Sequence, residues 1–352
     1  MGCGGAEPVG RGCAAPVGPG AGRAPCQNRR VRSPFDLLAD RVTLGPRHLR
    51  LATLGSLLVS IMIIVTGGVV RVTGSGLGCP TWPSCTADSF SAPEHLGVHG
   101  VIEYTNRVLT SVVCLAVAAV IITARLQKPV PRSVLRSGWA QFFMVVLNAV
   151  VGGLSVLTGL NPYVVAAHFL AALVLLTAAT HSFDLTWSRP VAAWTRPAGA
   201  AAGERGGRRR RIVELTVWAT GLLVLAGTVV TGAGPHPGDS REVHRIGIDW
   251  WLVTTVHGLL AVVVTGLVLT CLLGASPGSV LRRRAVALLA LLVSQGALGL
   301  YQSLSGVPAA AVGLHLFGAA LIWVGAVRLW MAPTGPDPDP RVEGDLLATA
   351  GG

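Results

Sequence analysis

Long apolar runs alternate along this chain with short polar breaks. A helix that crosses a bilayer needs about 20 predominantly apolar residues. Eight runs meet that length, at roughly 49–71, 98–124, 138–160, 163–186, 212–232, 249–273, 284–305 and 309–331. The first, built on LATLGSLLVSIMIIVTGGVV, is nearly unbroken, whereas the second carries Glu103, Asn106 and Arg107 near its start. The pattern predicts an all-α membrane protein with eight transmembrane helices. Residues 1–47 are rich in Gly, Pro and Arg with no apolar run, and they read as a disordered basic tail. Residues 333–352, with Asp-Pro repeats, read the same way. A cleaved secretory signal is not expected, because the first apolar run is too long and starts too late.

The breaks alternate in charge. The tail before Leu49, the 125–137 and 187–211 loops and the 282–284 turn are basic. The 160–163 and 306–308 turns carry no positive charge, and in the 233–248 loop Asp239 and Glu242 offset Arg241 and Arg245. Basic loops stay on the cytoplasmic side, so both termini are expected in the cytoplasm of a multi-pass plasma-membrane protein. Asn106, His168, His257 and His315 then all fall within the outer leaflet.

Composition agrees. The chain is 51% hydrophobic and 12% charged, with a mean hydropathy of +0.60, against about 25% charged residues in soluble domains. The net charge of +12 comes almost wholly from Arg, since Lys128 is the single lysine. A basic balance can signal nucleic acid. Here, however, the clusters at Arg29, Arg30 and Arg32, at Arg132 and Arg136, at Arg208 to Arg211 and at Arg282 to Arg284 sit between apolar runs. That spacing fits cytoplasmic loops, and no nucleic-acid partner is expected.

The second half echoes the first. Asn148 and His168 are twenty residues apart, as are Gln295 and His315; Gly152, Leu157, Thr158 and Gly159 fall on Gly299, Leu304, Ser305 and Gly306. Val-Thr-Gly-Ser-Gly at 72–76 resembles Val-Thr-Gly-Ala-Gly at 230–234, and Asn106-Arg-Val-Leu matches His257-Gly-Leu-Leu. The organisation expected is two pseudo-symmetric four-helix bundles, 48–190 and 212–332, joined by a basic cytoplasmic linker at 191–211. Tandem repeats of this kind are common in membranes.

Polar side chains inside a bilayer are costly and mark functional sites. His257 and His315 lie at similar depth on corresponding helices of one unit. Facing imidazoles are a common way to hold haem iron in a bundle; the alternative is a hydrogen-bonded pair in a proton path. In the first unit the matching pair is His168 and Asn106. An amide is a poor iron ligand, so His168 either binds iron alone or borrows another group. His99, two turns before Asn106 on the same face, reaches an iron if the porphyrin sits high; otherwise it and His95 are wet interfacial histidines. Glu103 shares a face with Asn106 and has Arg107 at i+4. It is either a proton-handling or cation-stabilising group beside a substrate, or half of an ion pair that anchors the helix end. Cys79 and Cys85 bracket Pro-Thr-Trp-Pro-Ser in the first outer loop. Facing an oxidising compartment they suggest a short disulfide loop, with a thiol relay or a metal site as alternatives. Cys114 and Cys271, in apolar helices, read as packing residues, and Cys3, Cys13 and Cys26 as reduced cytoplasmic thiols. The glycines crowding the outer halves of helices one, three, five and seven, among them Gly68, Gly152, Gly153 and Gly227, allow close helix packing or leave room for a flat macrocycle.

Over residues 49–331 the chain resembles the heme A synthase family. The resemblance rests on Val72-Thr-Gly-Ser-Gly-Leu-Gly-Cys-Pro-Thr-Trp-Pro-Ser-Cys85, on Ile102-Glu-Tyr-Thr-Asn-Arg107, on Leu157-Thr-Gly-Leu-Asn-Pro162 leading to His168, on Thr231-Gly-Ala-Gly-Pro-His236 and on His315. It implies an oxidoreductase that converts a methyl group of haem O to the formyl group of haem A, the prosthetic group of cytochrome oxidase. It further implies that His257 and His315 ligate a haem b in the second half, that His168 faces the substrate haem in the first, that Glu103 is the acid near that substrate, and that Cys79 and Cys85 are the outer-loop pair. The expected partners are the lipid bilayer, the farnesyltransferase that makes haem O (haem O synthase) and the cytochrome oxidase assembly machinery; a homo-oligomer is compatible. The family's second helix has Glu-x-x-His-Arg, and this chain has Asn106 where the histidine stands. Either His168 holds the substrate iron alone or His99 stands in. Two other classes remain, a di-haem b-type electron carrier without catalysis on haem and a tandem-repeat transporter.

Overall fold

The computed structural model describes residues 41–194, 207–239 and 243–334. Most of the predicted tails 1–47 and 333–352 and of the 191–211 linker lies outside them, with Cys3, Cys13 and Cys26 and with Arg241 and Glu242, whereas Pro46 and Arg47 of the first tail already belong to a helix. Among the described residues there are eight helices long and apolar enough to cross a membrane. They are α1 (Pro46–Val72), α2 (Gly97–Arg125), α3 (Arg132–Leu157), α4 (Pro162–Trp187), α5 (Arg208–Ala233), α6 (Trp250–Leu273), α7 (Val280–Leu304) and α8 (Ala309–Trp330). Helices of this length satisfy their own backbone polar groups, which hydrocarbon cannot do. The extended pairing among the described residues is a lone bridge between Ser75 and Asp239.

The helix ends follow local chemistry. Pro46 and Pro162 occupy first-turn positions, where a missing N–H is harmless. Asn161 Oδ1 caps α4 by accepting the Tyr163 N–H at 3.0 Å, and Asp249 Oδ1 caps α6 through the Leu252 N–H at 2.7 Å. Gly159 (φ 61°) with Leu160 (φ 59°) closes α3, and Gly306 (φ 71°) with Val307 (φ 59°) closes α7. In both turns the second residue's N–H returns to the helix, Leu160 to the Ser155 carbonyl at 2.8 Å and Val307 to the Gln302 carbonyl at 2.9 Å. The same left-handed stop is therefore built twice.

Helices α1 to α4 form one ring of packed neighbours and α5 to α8 another, while α2 with α4 and α6 with α8 are diagonal pairs with at most marginal contact. The rings meet where α1 and α4 pack on α8 and α4 packs on α5. Trp323 of α8 donates its indole N–H across this seam to Thr177 Oγ1 at 2.8 Å and the Leu173 carbonyl at 3.1 Å. Leu57, Ile64, Leu173, Leu176, Val224 and Ala320 fill it with apolar bulk.

Candidate functional site

In the second ring, His257 of α6 and His315 of α8 face each other across the diagonal, with ring centroids 6.3 Å apart and planes at 64°. Helix α5 sets the first ring: the His257 Nδ1–H donates to the Leu223 carbonyl at 3.1 Å. That bond fixes the tautomer and leaves Nε2 with its lone pair free, as a metal-ligating histidine requires. His315 Nδ1 is buried with no partner. Glycines back both rings. A methyl group at Gly227 would lie 3.1 Å from His257 Cε1, and one at Gly299 would lie 3.6 Å from His315 Cε1. A metal–imidazole bond of about 2 Å puts each ring centroid roughly 3 Å from the metal. Two rings 6.3 Å apart therefore match a single iron held between them. Helices α6 and α8 make at most marginal contact with each other along this diagonal, so the residues present fit a haem.

In the first ring, the corresponding diagonal carries Asn106 on α2 and His168 on α4. Asn106 Oδ1 accepts the Thr66 hydroxyl at 2.7 Å, so α1 orients the amide much as α5 orients His257. His168 lies against Gly152 of α3, where an added methyl would sit 2.9 Å from its Cε1. His99 is half-buried at the start of α2, and its Nδ1 pairs with Ser75 Oγ at 2.9 Å in the 73–96 loop. His95 is exposed.

Glu103 is 5% exposed. Its Oε2 accepts the Cys79 N–H at 2.6 Å, and its Oε1 accepts Arg107 Nη2 at 2.5 Å. Arg107 in turn donates to the carbonyls of Thr81, Ser84 and Cys79 at 2.8, 3.1 and 3.0 Å. Cys79 and Cys85 are joined as a disulfide and are fully buried. The expected i,i+4 ion pair is present, and it works on the loop as well as on its own helix. The same loop is tied to the far ring: Gly76 N–H donates to the Gly238 carbonyl at 2.8 Å, and Leu77 N–H to Asp239 Oδ2 at 2.9 Å. Arg71, at the end of α1, donates to the Thr231 carbonyl of α5 at 2.8 Å.

Two features depart from the sequence expectation. Cys114 is exposed on the outer surface of α2, so it is not a packing residue, whereas Cys271 is buried. The second is a buried acid in an apolar run that the sequence reading did not single out. Asp184 of α4 is 1% exposed and binds Arg284 Nη2 of α7 at 2.6 Å and Arg328 Nε of α8 at 3.3 Å. This network joins the two rings at the arginine-rich end, about four turns along α4 from His168. A polar ladder inside the first ring was likewise unforeseen. Thr53 and Thr186 share a 2.8 Å hydroxyl contact, and Gln141, fully buried, accepts from Ser56 at 2.5 Å and donates to Ser182 at 3.0 Å.

The family model described as cytochrome oxidase assembly protein matches residues 50–327. A relative named heme A synthase from Staphylococcus epidermidis is 27% identical over 243 residues, covering 60% of this chain and 76% of the relative. Heme A synthases from Lysinibacillus sphaericus and Geobacillus thermodenitrificans are 26% and 33% identical, over 38% and 34% of this chain. Those two matches span 43% and 37% of the relatives' own lengths, less than half in each case.

Proposed function

This chain belongs to the heme A synthase family of cytochrome oxidase assembly proteins, and from that premise we propose that it oxidises the methyl group of haem O to the formyl group of haem A in a bilayer. The observation that carries the reading is the facing of His257 and His315 at a spacing that suits one iron. In this reading they hold a haem b in the second half. Such a haem, when bound, supplies one-electron redox chemistry, and the protein supplies position and electrostatics. His257 keeps its tautomer through the Leu223 carbonyl, and the apolar helices exclude water from the pair.

The substrate haem O sits in the first half on His168. Asn106, whose amide is a poor iron ligand, already gives its carbonyl oxygen to Thr66, which supports His168 as the protein ligand on this diagonal. One open coordination position on the substrate iron follows, which suits an oxidation. The loose diagonal between α2 and α4 gives the farnesyl tail a way to lipid, where its burial is favourable. Glu103 holds the disulfide loop and its Arg107 partner at the head of this half.

The twin stops at Gly159 and Gly306 and the glycine-backed rings of His168 and His315 support a pseudo-symmetric pair of four-helix units, 48–190 and 212–332. Arginine-rich ends at the 125–137 and 282–284 connections support cytoplasmic termini in a plasma-membrane protein. The upstream partner is the farnesyltransferase that makes haem O. Co-expression with that enzyme, followed by pigment extraction, tests the function. Haem A should appear with the wild-type chain and be lost with His168→Ala; haem O alone in both would overturn the reading. A transporter would purify colourless, and an electron carrier would leave haem O unchanged.

A further inference from the structure

Two aromatic side chains rest on adjacent bare positions of one helix. Gly152 and Gly153 are consecutive on α3. The His168 ring covers the first. At the second, an added methyl would lie 2.5 Å from Cδ2 and 2.6 Å from Cε2 of Trp82. Successive helical residues point about 100° apart, so the imidazole and the indole lie side by side on adjoining faces of α3. Trp82 does not reach this place on a flexible tether. The Cys79–Cys85 bond closes its loop, and the Arg107 guanidinium takes the carbonyls of Thr81 and Ser84. Thr81 Oγ1 closes the same turn on the Ser84 carbonyl at 2.9 Å. Glu103 holds both Arg107 and the Cys79 N–H. One side of the indole is pressed on Gly153, yet Trp82 remains 39% exposed, so part of a large aromatic side chain next to the His168 position on α3 stays uncovered by protein.

We infer that Trp82 is a substrate-positioning residue: its indole forms the outer wall of the first-half site and contacts the macrocycle of the tetrapyrrole held on His168. This rests on the proposed placement of haem O in that half. A planar ligand on the His168 ring spreads beyond the imidazole on every side, and on the α3 side the first group it meets is the indole. Glu103 and Arg107 then act on the substrate through the loop, as the residues that fix where Trp82 stands. The glycine at 153 is required by the same packing, because any side chain there displaces an indole that its disulfide frame holds in place.

The test titrates the full-length chain in detergent with haem O, reading affinity from the Soret absorption and contact from Soret circular dichroism, which responds to aromatic rings beside the porphyrin. Trp82→Ala should weaken binding about three- to tenfold, the worth of one aromatic contact, and change the dichroic band. Trp82→Phe should restore part of both. Gly153→Ala, which touches neither the loop sequence nor the iron ligand, should reproduce the Trp82→Ala spectrum. The pigment bound by His257 and His315, and the absence of free thiol at Cys79 and Cys85, report that the variants are folded. Wild-type affinity and dichroism in Trp82→Ala and Gly153→Ala, with binding lost in His168→Ala, would overturn the role of Trp82 and leave the site standing. Full binding in His168→Ala would overturn the site itself. Loss of the second-half pigment in both Trp82 variants would assign the indole a purely structural part and overturn the inference as well.

Discussion

Cys79 donates its backbone N–H to Glu103 Oε2 at 2.6 Å, across 24 residues of sequence. The acid is thereby divided between a loop amide and Arg107, and no carboxylate oxygen is left without a strong donor. Removing it strands two donors at once. Glu103→Ala should destabilise the protein by about 3 kcal/mol, the scale for breaking a buried ion pair, whereas Glu103→Gln should recover much of that loss through its amide oxygen. Melting in detergent measures the stability, with Glu103→Gln expected between Glu103→Ala and wild type because its amide oxygen still accepts one of the two donors. The rate at which dithiothreitol opens Cys79–Cys85 should rise in Glu103→Ala and stay near wild type in Glu103→Gln.

His257 and His315 make a separable prediction. Replacing either with Ala should remove the six-coordinate spectrum of the second half, because one imidazole cannot complete an axial pair. Pigment quantified per mole of purified chain checks this. The haem O affinity of the first half should change little, since His168 stands on another diagonal.

Asp184 is predicted to matter for assembly and not for haem binding. Asp184→Ala leaves Arg284 buried without its partner and should cost about 3 kcal/mol. The exposed share of Arg328 contributes little to that loss. In the double variant Asp184→Ala with Arg284→Ala, the loss should be clearly smaller than the sum of the single losses. Equal and additive losses would show that the contact is not energetically coupled.

The ladder in the first ring separates satisfied from unsatisfied hydroxyls. Ser56 donates to Gln141, and Ser56→Ala should cost about 1 kcal/mol. Ser60 lies one turn further along α1, and its Oγ is buried with no partner. Ser60→Ala removes a desolvated group and should be neutral or stabilising by up to about 1 kcal/mol. Melting temperatures of the two variants give the comparison directly.

The spans were legible because hydrocarbon imposes a length and an apolar content that few other environments demand. The ends of α4 and α8 fall within one residue of the runs read from hydropathy. The start of α3 does not: it reaches back to Arg132, six residues before the apolar run, because Arg132 and Arg136 extend a helix whose side chains find polar surroundings at the interface. At its other end the run continued through Leu160, but left-handed Gly159 and Leu160 had already turned the chain. The paired histidines were readable from depth and repeat. What the sequence does not display is partnership at a distance. Asp184 stands in the fourth apolar run with Ser188 as a local donor, but its charged partners lie 100 and 144 residues away. The indole of Trp82 belongs in sequence to an outer loop, and only folding sets it beside Gly153.

The bond from Trp323 to Thr177 and Leu173 joins the two helices that carry His315 and His168. Their spacing is set by a welded joint and not by a hinge. If the proposed haems are held there, charge passing between them should cross a gap of constant width, at a pace indifferent to the viscosity of the surrounding lipid or detergent.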